Sequence, residues 1–338
     1  MNIGRRLAVL GVSLILSSCI QDWAIDYDNS PKGNFDLLWT SVDEHYCFFE
    51  QKGVDWDSIR KVYEPKVSAS TGNEELFTIC SSMLNELRDG HVNLYSGFDT
   101  SAYMGRSMGM AAAFNPKVVN ENYLGDNLVE EGGLKASKIR NVAYFRYESF
   151  EGDISTSIVQ NVVDELGSFT GLIIDIRDNG GGYELAARNF ASCFFQKKSL
   201  VAYIKYKDGP AHSDFSDFYP QYIEPASKVV FSGNIVILTN RLVYSSANYF
   251  VLMMKCLPNV TVIGDTTGGG GGFPFSSQLY NGWTVRFSHN PIFNTNKESI
   301  EEGIEPDITI GQRNKRAYVG EDPVIEFAVD YLTNSNAR

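Results

Sequence analysis

A serine that stands between a buried strand and the first turn of a helix is open to substrate. It also lies beside backbone N–H groups that the helix leaves without acceptors. The run Asn234 to Leu238 has the character of a buried strand, and Thr239-Asn240-Arg241-Leu242-Val243-Tyr244-Ser245-Ser246-Ala247-Asn248 follows it into a helix predicted from Ser246 to Met254. Ser245 or Ser246 could attack a carbonyl there, or either could serve only as the helix cap that serine favours. A hydroxyl needs a base at neutral pH. Of His45, His91, His212 and His289, His91 has the most suggestive setting. It follows the turn pair Asp89-Gly90 and opens an alternating run to Tyr95 that reads as a strand; a purely structural histidine is the competing reading. Glu298, Glu301, Glu302, Glu305 and Asp307 could supply an orienting carboxylate, in a stretch that otherwise reads as a solvated acidic loop.

A second strand-to-helix turn is Asp175-Ile176-Arg177-Asp178-Asn179-Gly180-Gly181-Gly182. Its glycines allow positive φ and close backbone approach, so its N–H groups could bind a phosphate or an acyl-transfer oxyanion, or the turn could simply be tight. No G-x-G-x-x-G pattern follows this strand, which argues against a dinucleotide. Gly268 to Gly272, after Asp265-Thr266-Thr267, lacks the Lys-Ser/Thr ending of a phosphate-binding loop. It is expected to be a flexible loop at the edge of the substrate site. The chain has no C-x-x-C pair and its histidines lack metal-ligand spacing, so no metal or cofactor is expected. Cys47, Cys80, Cys193 and Cys256 have apolar neighbours and are expected to be buried free thiols.

The elements that must position these residues form two regions. Helical spacing of Phe35, Leu38, Trp39, Val42 and Tyr46 begins at Asn34, a further helix is predicted after Asp55 as N-cap, and Thr71-Gly72-Asn73-Glu74 resembles a capping box ahead of Leu76 to Leu87. From Asn141 onward strands and helices alternate, which argues for a parallel sheet covered by helices. Asn281-Gly282 is a two-residue hairpin signal, and Asp322-Pro323 caps a final amphipathic helix. The resulting division is 1–18 leader, 19–33 tether, 34–97 helical region, 98–139 connector or small β subdomain, and 140–338 α/β core.

Met1 to Arg6 is basic, Leu7 to Leu16 is apolar and Ser17-Ser18-Cys19 closes the pattern. This resembles a bacterial lipoprotein signal and implies cleavage before Cys19 and its acylation; a plain secretory signal is the alternative. The apolar run is too short to span a bilayer, so membrane contact is expected only through the lipid. Over 338 residues the net charge is −12, which repels phosphate backbones and disfavours nucleic acid as a partner. At 43% hydrophobic and 21% charged, the composition supports a large folded core and excludes disordered or coiled-coil chains.

Five segments occur together in order: Leu87-Arg88-Asp89-Gly90-His91-Val92, Ile174 to Gly182, Tyr244-Ser245-Ser246-Ala247, Val262-Ile263-Gly264-Asp265-Thr266-Thr267-Gly268-Gly269 and Glu302-Gly303-Ile304-Glu305-Pro306-Asp307. Together they resemble the tail-specific (C-terminal processing) serine peptidases, in the branch with the tricorn protease core and interphotoreceptor retinoid-binding protein. The resemblance implies an α/β fold with a crotonase-like (ClpP-like) core, with Ser245 as nucleophile and His91 as base. It also implies Glu301 as the acidic member, with Glu302 a close rival, and the N–H groups of Gly181 and Ser246 as oxyanion hole. Three departures are visible: glycines stand where the processing peptidases have a lysine base, Gly90 replaces the serine beside the tricorn-branch histidine, and residues 98–139 are too few for the PDZ domain that relatives often carry. The function so implied is hydrolysis of peptide or protein substrates by an envelope lipoprotein. A non-catalytic ligand- or peptide-binding lipoprotein on the same fold is the alternative, and a glycan-binding lipoprotein a weaker one.

Overall fold

The structure, a computed structural model, describes residues 29–103, 114–228, 230–310 and 320–335. The expected leader, Cys19 and most of the expected tether lie outside the described residues. The helical region comprises α1 (Pro31–His45), α2 (Phe49–Lys52), α3 (Trp56–Tyr63) and α4 (Asn73–Asn85). Helix α1 begins inside the stretch expected to be a tether. Ser30 caps it by accepting the Gly33 N–H at 3.0 Å, and Pro31 occupies the first turn, where no amide proton is missed. Asp55 caps α3 through the Ser58 N–H at 2.9 Å, as expected. The capping box expected at Thr71 does not form: Thr71 turns back to accept the Ser68 N–H, and Gly72 is the residue before α4.

The chain continues through β1 (Asn93–Tyr95), α5 (Pro116–Val119), β2 (Val129–Glu131), β3 (Leu134–Ile139), β4 (Val142–Tyr147), α6 (Thr156–Leu166), β5 (Gly171–Asp175), α7 (Glu184–Ser192), β6 (Ser199–Ile204) and β7 (Tyr219–Ile223). It ends with β8 (Asn234–Thr239), α8 (Ser246–Met254), β9 (Val260–Gly264), β10 (Gly272–Gln278), β11 (Thr284–Phe293), β12 (Ile308–Thr309) and α9 (Pro323–Ser335). A seven-stranded sheet has the order β12-β9-β8-β5-β4-β3-β2, parallel from β12 to β4. Strands β2 and β3 extend its edge in antiparallel pairing, so this part of the stretch read as a connector or small β subdomain belongs to the main sheet. Alternation along each strand divides the core in two. Phe145, Leu172, Ile174, Ile237 and Val262 face α6, α7 and α8, whereas Tyr144, Ile173, Val236 and Leu238 face α9 and α5.

A second sheet holds β1, β11, β6 and β7, with β10 paired to β11. Helices α1, α3 and α4 bury Phe35, Leu38, Trp56, Leu76 and Met83 against Leu94, Val285 and Phe287 of this sheet. The hairpin between β10 and β11 closes where Leu279 N–H meets Trp283 O at 2.8 Å, so its loop is one residue longer than the Asn-Gly signal implies. All four described cysteines are free; Cys80 and Cys193 are buried and Cys47 and Cys256 half-buried.

Candidate active site

Register brings the loops together. Asp175 pairs with Leu238, and Leu238 in turn with Ile263, so β5, β8 and β9 end side by side. The turns after them, carrying Gly181, Ser245 and the Gly268–Gly272 run, meet at one edge, the place where parallel sheets present their sites.

At that edge Ser245 Oγ lies 2.9 Å from His91 Nε2, across 154 positions of chain. Ser245 has φ 56° and ψ −125° and makes no side-chain cap to α8. Such a backbone costs a non-glycine residue about 1–3 kcal/mol, a cost tolerated where a side chain must be aimed. The Ser246 hydroxyl donates instead to Gly182 O at 2.7 Å. The choice between the two serines is thus made by direction: Ser245 faces the histidine and Ser246 faces the neighbouring turn.

His91 is buried and held by its own backbone. Its N–H donates to Asp89 Oδ1 at 2.8 Å, and Asp89 Oδ2 accepts from Tyr46 Oη at 3.1 Å and Ser288 Oγ at 2.9 Å. Helix α1, the β1 turn and β11 therefore converge on one carboxylate that fixes the histidine's position.

Glu301 is fully buried, whereas Glu302, 3.8 Å from Lys52, is 75% exposed; Glu301 is the inward-facing member of the pair. Both of its carboxylate oxygens have partners. Oε2 accepts the Gly271 N–H at 2.7 Å, and Oε1 pairs with Lys52 Nζ at 2.8 Å. Burial, reinforced by Asp89 and opposed by Lys52, pushes the Glu301 carboxyl up to about 7. Against the burial penalty, Glu301 and Asp89 hold the Lys52 ammonium above its ordinary range.

The expected oxyanion hole is altered in one member. Gly181 packs its Cα on Ser245: a Cβ there would lie 2.9 Å from both Ser245 Cβ and Ser246 N, and its φ is +101°. Its N–H, however, is donated to Asn179 Oδ1 at 2.9 Å, so in this arrangement it already has an acceptor. Asn179 is anchored by donating Nδ2 to Tyr147 O at 3.0 Å. Ser246, the first residue of α8, carries an N–H of the class that a helix leaves without an intrahelical acceptor.

The glycine run is not the flexible loop expected from its composition. Gly268 N–H bonds to Val243 O, Gly270 N–H to Glu301 O, and Gly269 O accepts the Ser245 N–H. All of Gly268 to Gly272 is buried. Tyr244 crowds two glycines: a Cβ on Gly270 would lie 2.5 Å from its ring, and one on Gly90 would lie 2.9 Å from its hydroxyl, whereas Gly269 is crowded by the Glu301 carbonyl. The same ring packs at 4.9 Å from His91. Gly90→Ser should therefore displace the phenol that packs on His91 and lower kcat/KM about tenfold, since overpacking costs roughly 1–3 kcal/mol. In a Tyr244→Phe background the same change should cost measurably less, because the nearest atom is gone. Equal losses in both backgrounds would refute the steric account.

Lys52, Asp89 and Asn179 were given no role on sequence grounds. Asn179 and Asp89 each accept an N–H two residues onward, a habit of these side chains beside glycine that could have marked them. Lys52 carries no such local mark.

Peptidase family S41 matches residues 141–310, and the Tricorn protease C1 domain matches residues 27–85. A Parabacteroides merdae protein described as a "putative peptidase" has a crystal structure similar at TM-score 0.84 and 40% identity, over 90% of this chain and 97% of that one. The tricorn protease of Thermoplasma acidophilum is 29% identical over 168 residues, 49% of this chain, which spans only 14% of that protein's length. The photosystem II D1 C-terminal processing protease shares the fold at TM-score 0.53 and 16% identity, over 86% of this chain and 96% of that one. With the family match running from β4 through both strand-to-helix turns to the acidic loop, this chain belongs to peptidase family S41, the family of the tail-specific serine peptidases.

Proposed function

We propose that the chain is a serine peptidase of the cell envelope, anchored through lipid on Cys19, with Ser245 as nucleophile and His91 as general base. The 2.9 Å contact between Ser245 Oγ and His91 Nε2 is the observation that carries this reading. Ser245 Oγ attacks the peptide carbonyl carbon while its proton passes to Nε2. The oxyanion so formed is met by the Ser246 N–H, a type of contact worth about 3–4 kcal/mol. The Gly181 N–H joins it by exchanging Asn179 Oδ1 for the oxyanion. Collapse breaks the C–N bond as Nε2 returns the proton to the leaving amine, and water then releases the acyl group by the reverse sequence. Glu301 acts through its charge and through Gly271, with the developing imidazolium stabilised by the buried carboxylates around it.

Envelope location rests on Arg5-Arg6, the apolar run to Leu16 and Ser17-Ser18-Cys19. Among the described residues no helix is long and apolar enough to cross a membrane. Peptide or protein chains are the substrates this family membership supports.

Intact-mass labelling with a fluorophosphonate tests the assignment. We expect one adduct on the wild-type protein, mapped to Ser245 and lost in both Ser245→Ala and His91→Ala. An adduct that persists in Ser245→Ala moves the nucleophile elsewhere, Ser246 first. Wild-type protein that stays unlabelled across the pH range favours a binding protein on this fold.

A further inference from the structure

Lys52 ends α2 in the helical region, yet its side chain is only 7% exposed and reaches the buried Glu301. Its Nζ lies 2.8 Å from Glu301 Oε1 and donates to Arg88 O at 3.3 Å. The second contact belongs to the turn that carries His91. The first belongs to the carboxylate whose other oxygen holds Gly271, in the run whose Gly269 carbonyl accepts the Ser245 N–H. One ammonium therefore bridges the segment bearing the base and the segment backing the nucleophile. The contact is reciprocal, since the Arg88 guanidinium donates to Lys52 O at 2.8 Å and fixes the backbone from which the lysine extends.

Burying a lysine is costly unless its charge is matched, so such a residue marks a site that needs the charge. The need is visible in its neighbours. Asp89 and Glu301 are both fully buried, and on the α1 side Tyr46 and Cys47 contribute no positive charge. Arg88 and Glu302 also face this site, but both are exposed and screened by solvent.

Resting on the assignment of Ser245 and His91 above, we propose that Lys52 is a positioning residue for the peptidase reaction. Its ammonium holds Glu301 on Gly271 and the His91 turn through Arg88, and it supplies a buried positive charge to two buried carboxylates that repel each other, Glu301 and the Asp89 that holds the His91 N–H. Charge counting then predicts the pH behaviour. With Lys52 present, Asp89, Glu301 and Lys52 sum to one negative charge when ionised; Lys52→Met leaves two. Each added negative charge makes His91 and Glu301 hold protons more tightly, so the acid limb of activity moves to higher pH. Lys52→Met with Glu301→Gln restores a single negative charge, that of Asp89, which keeps its hydrogen bonds from Tyr46, Ser288 and the His91 N–H.

The test is the pseudo-first-order rate of fluorophosphonate labelling at Ser245, measured from pH 5 to pH 9 on the full mature chain. For Lys52→Met we expect the acid limb to rise by about one unit or more, with labelling near pH 7 slowed about tenfold. Lys52→Arg should keep the wild-type limb, and the double variant should return the limb close to it, at a lower absolute rate because Glu301 is also changed. A role in packing alone would lower the thermal midpoint and leave the limb in place. A folded Lys52→Met protein with the wild-type limb, or a double variant shifted as far as the single one, overturns the proposal while leaving Ser245 and His91 untouched. Wild-type protein labelled elsewhere, or not at all, overturns the underlying assignment and this proposal with it.

Discussion

Ser245→Ala should lower kcat by about 10⁴-fold or more while the thermal midpoint moves by no more than a few degrees. Removing the nucleophile of a serine hydrolase leaves only what the oxyanion donors and substrate binding contribute, which is why the loss is so large. Stability should be nearly unchanged because the hydroxyl's described partner is His91 Nε2, at a half-exposed position that supports no core packing. Ser245→Gly sharpens the test. Glycine adopts the backbone of residue 245, φ 56° and ψ −125°, without the strain a side chain incurs there. That variant should be as inactive as Ser245→Ala and at least as stable. The strain would then be a structural cost retained for aiming the hydroxyl. Turnover within tenfold of wild type in Ser245→Ala, measured with a peptide substrate, would remove Ser245 from the mechanism.

Arg177→Met should cost about 3–5 kcal/mol of stability, because it takes the guanidinium away from two buried carboxylates. Arg177 is fully enclosed. Its Nη2 donates to Asp175 Oδ2 at 2.6 Å and its Nη1 to Asp322 Oδ2 at 2.9 Å. Tyr144 Oη also donates to Asp175, at 2.7 Å, and Arg146 lies 3.5 Å from it. Against the cost of burial, Arg177 and Arg146 hold the Asp175 carboxyl below the usual carboxylate range. Its stabilising contribution is therefore present above the ordinary carboxylate pKa and is lost as pH falls through the depressed one. The network joins the end of β5 to the cap of α9, since Asp322 Oδ1 accepts the Val324 and Ile325 N–H groups. It lies two residues before Asn179, so activity should fall together with stability. Thermal unfolding near neutral pH should show a drop on the order of 10 °C; a change under about 1 kcal/mol would mean that the remaining groups neutralise or hydrate one another.

Much of this arrangement is written locally in the chain. Strand β8 and helix α8 lie where their apolar runs predict them, and β4, β5 and β9 continue the strand–helix alternation predicted from Asn141, because each is decided by the burial of a few consecutive side chains. The caps at Asp55 and Asp322 were readable for the same reason: an acceptor two or three residues from its donor needs no tertiary context. Short or edge elements were less legible. Strands β6 and β7 were not anticipated, and α1 starts earlier than its apolar spacing indicates because Ser30 and Pro31 mark the boundary instead.

The site divides along the same line. Residue types and motif order were enough to nominate Ser245, His91, Glu301, Gly181 and Ser246. Which serine faces the histidine depends on the direction of a strained turn, and the partners of Glu301 depend on Lys52 arriving from a helix almost 250 residues earlier in the chain. The N–H of Gly181 is taken by Asn179, and the glycine run is packed rather than flexible because Tyr244 and Glu301 fill the space around it. Local patterns encode what consecutive residues prefer. Charge pairing and close approach between distant segments exist only after the two sheets and the helical region have packed, when burial makes each unmatched charge costly and each missing Cβ useful.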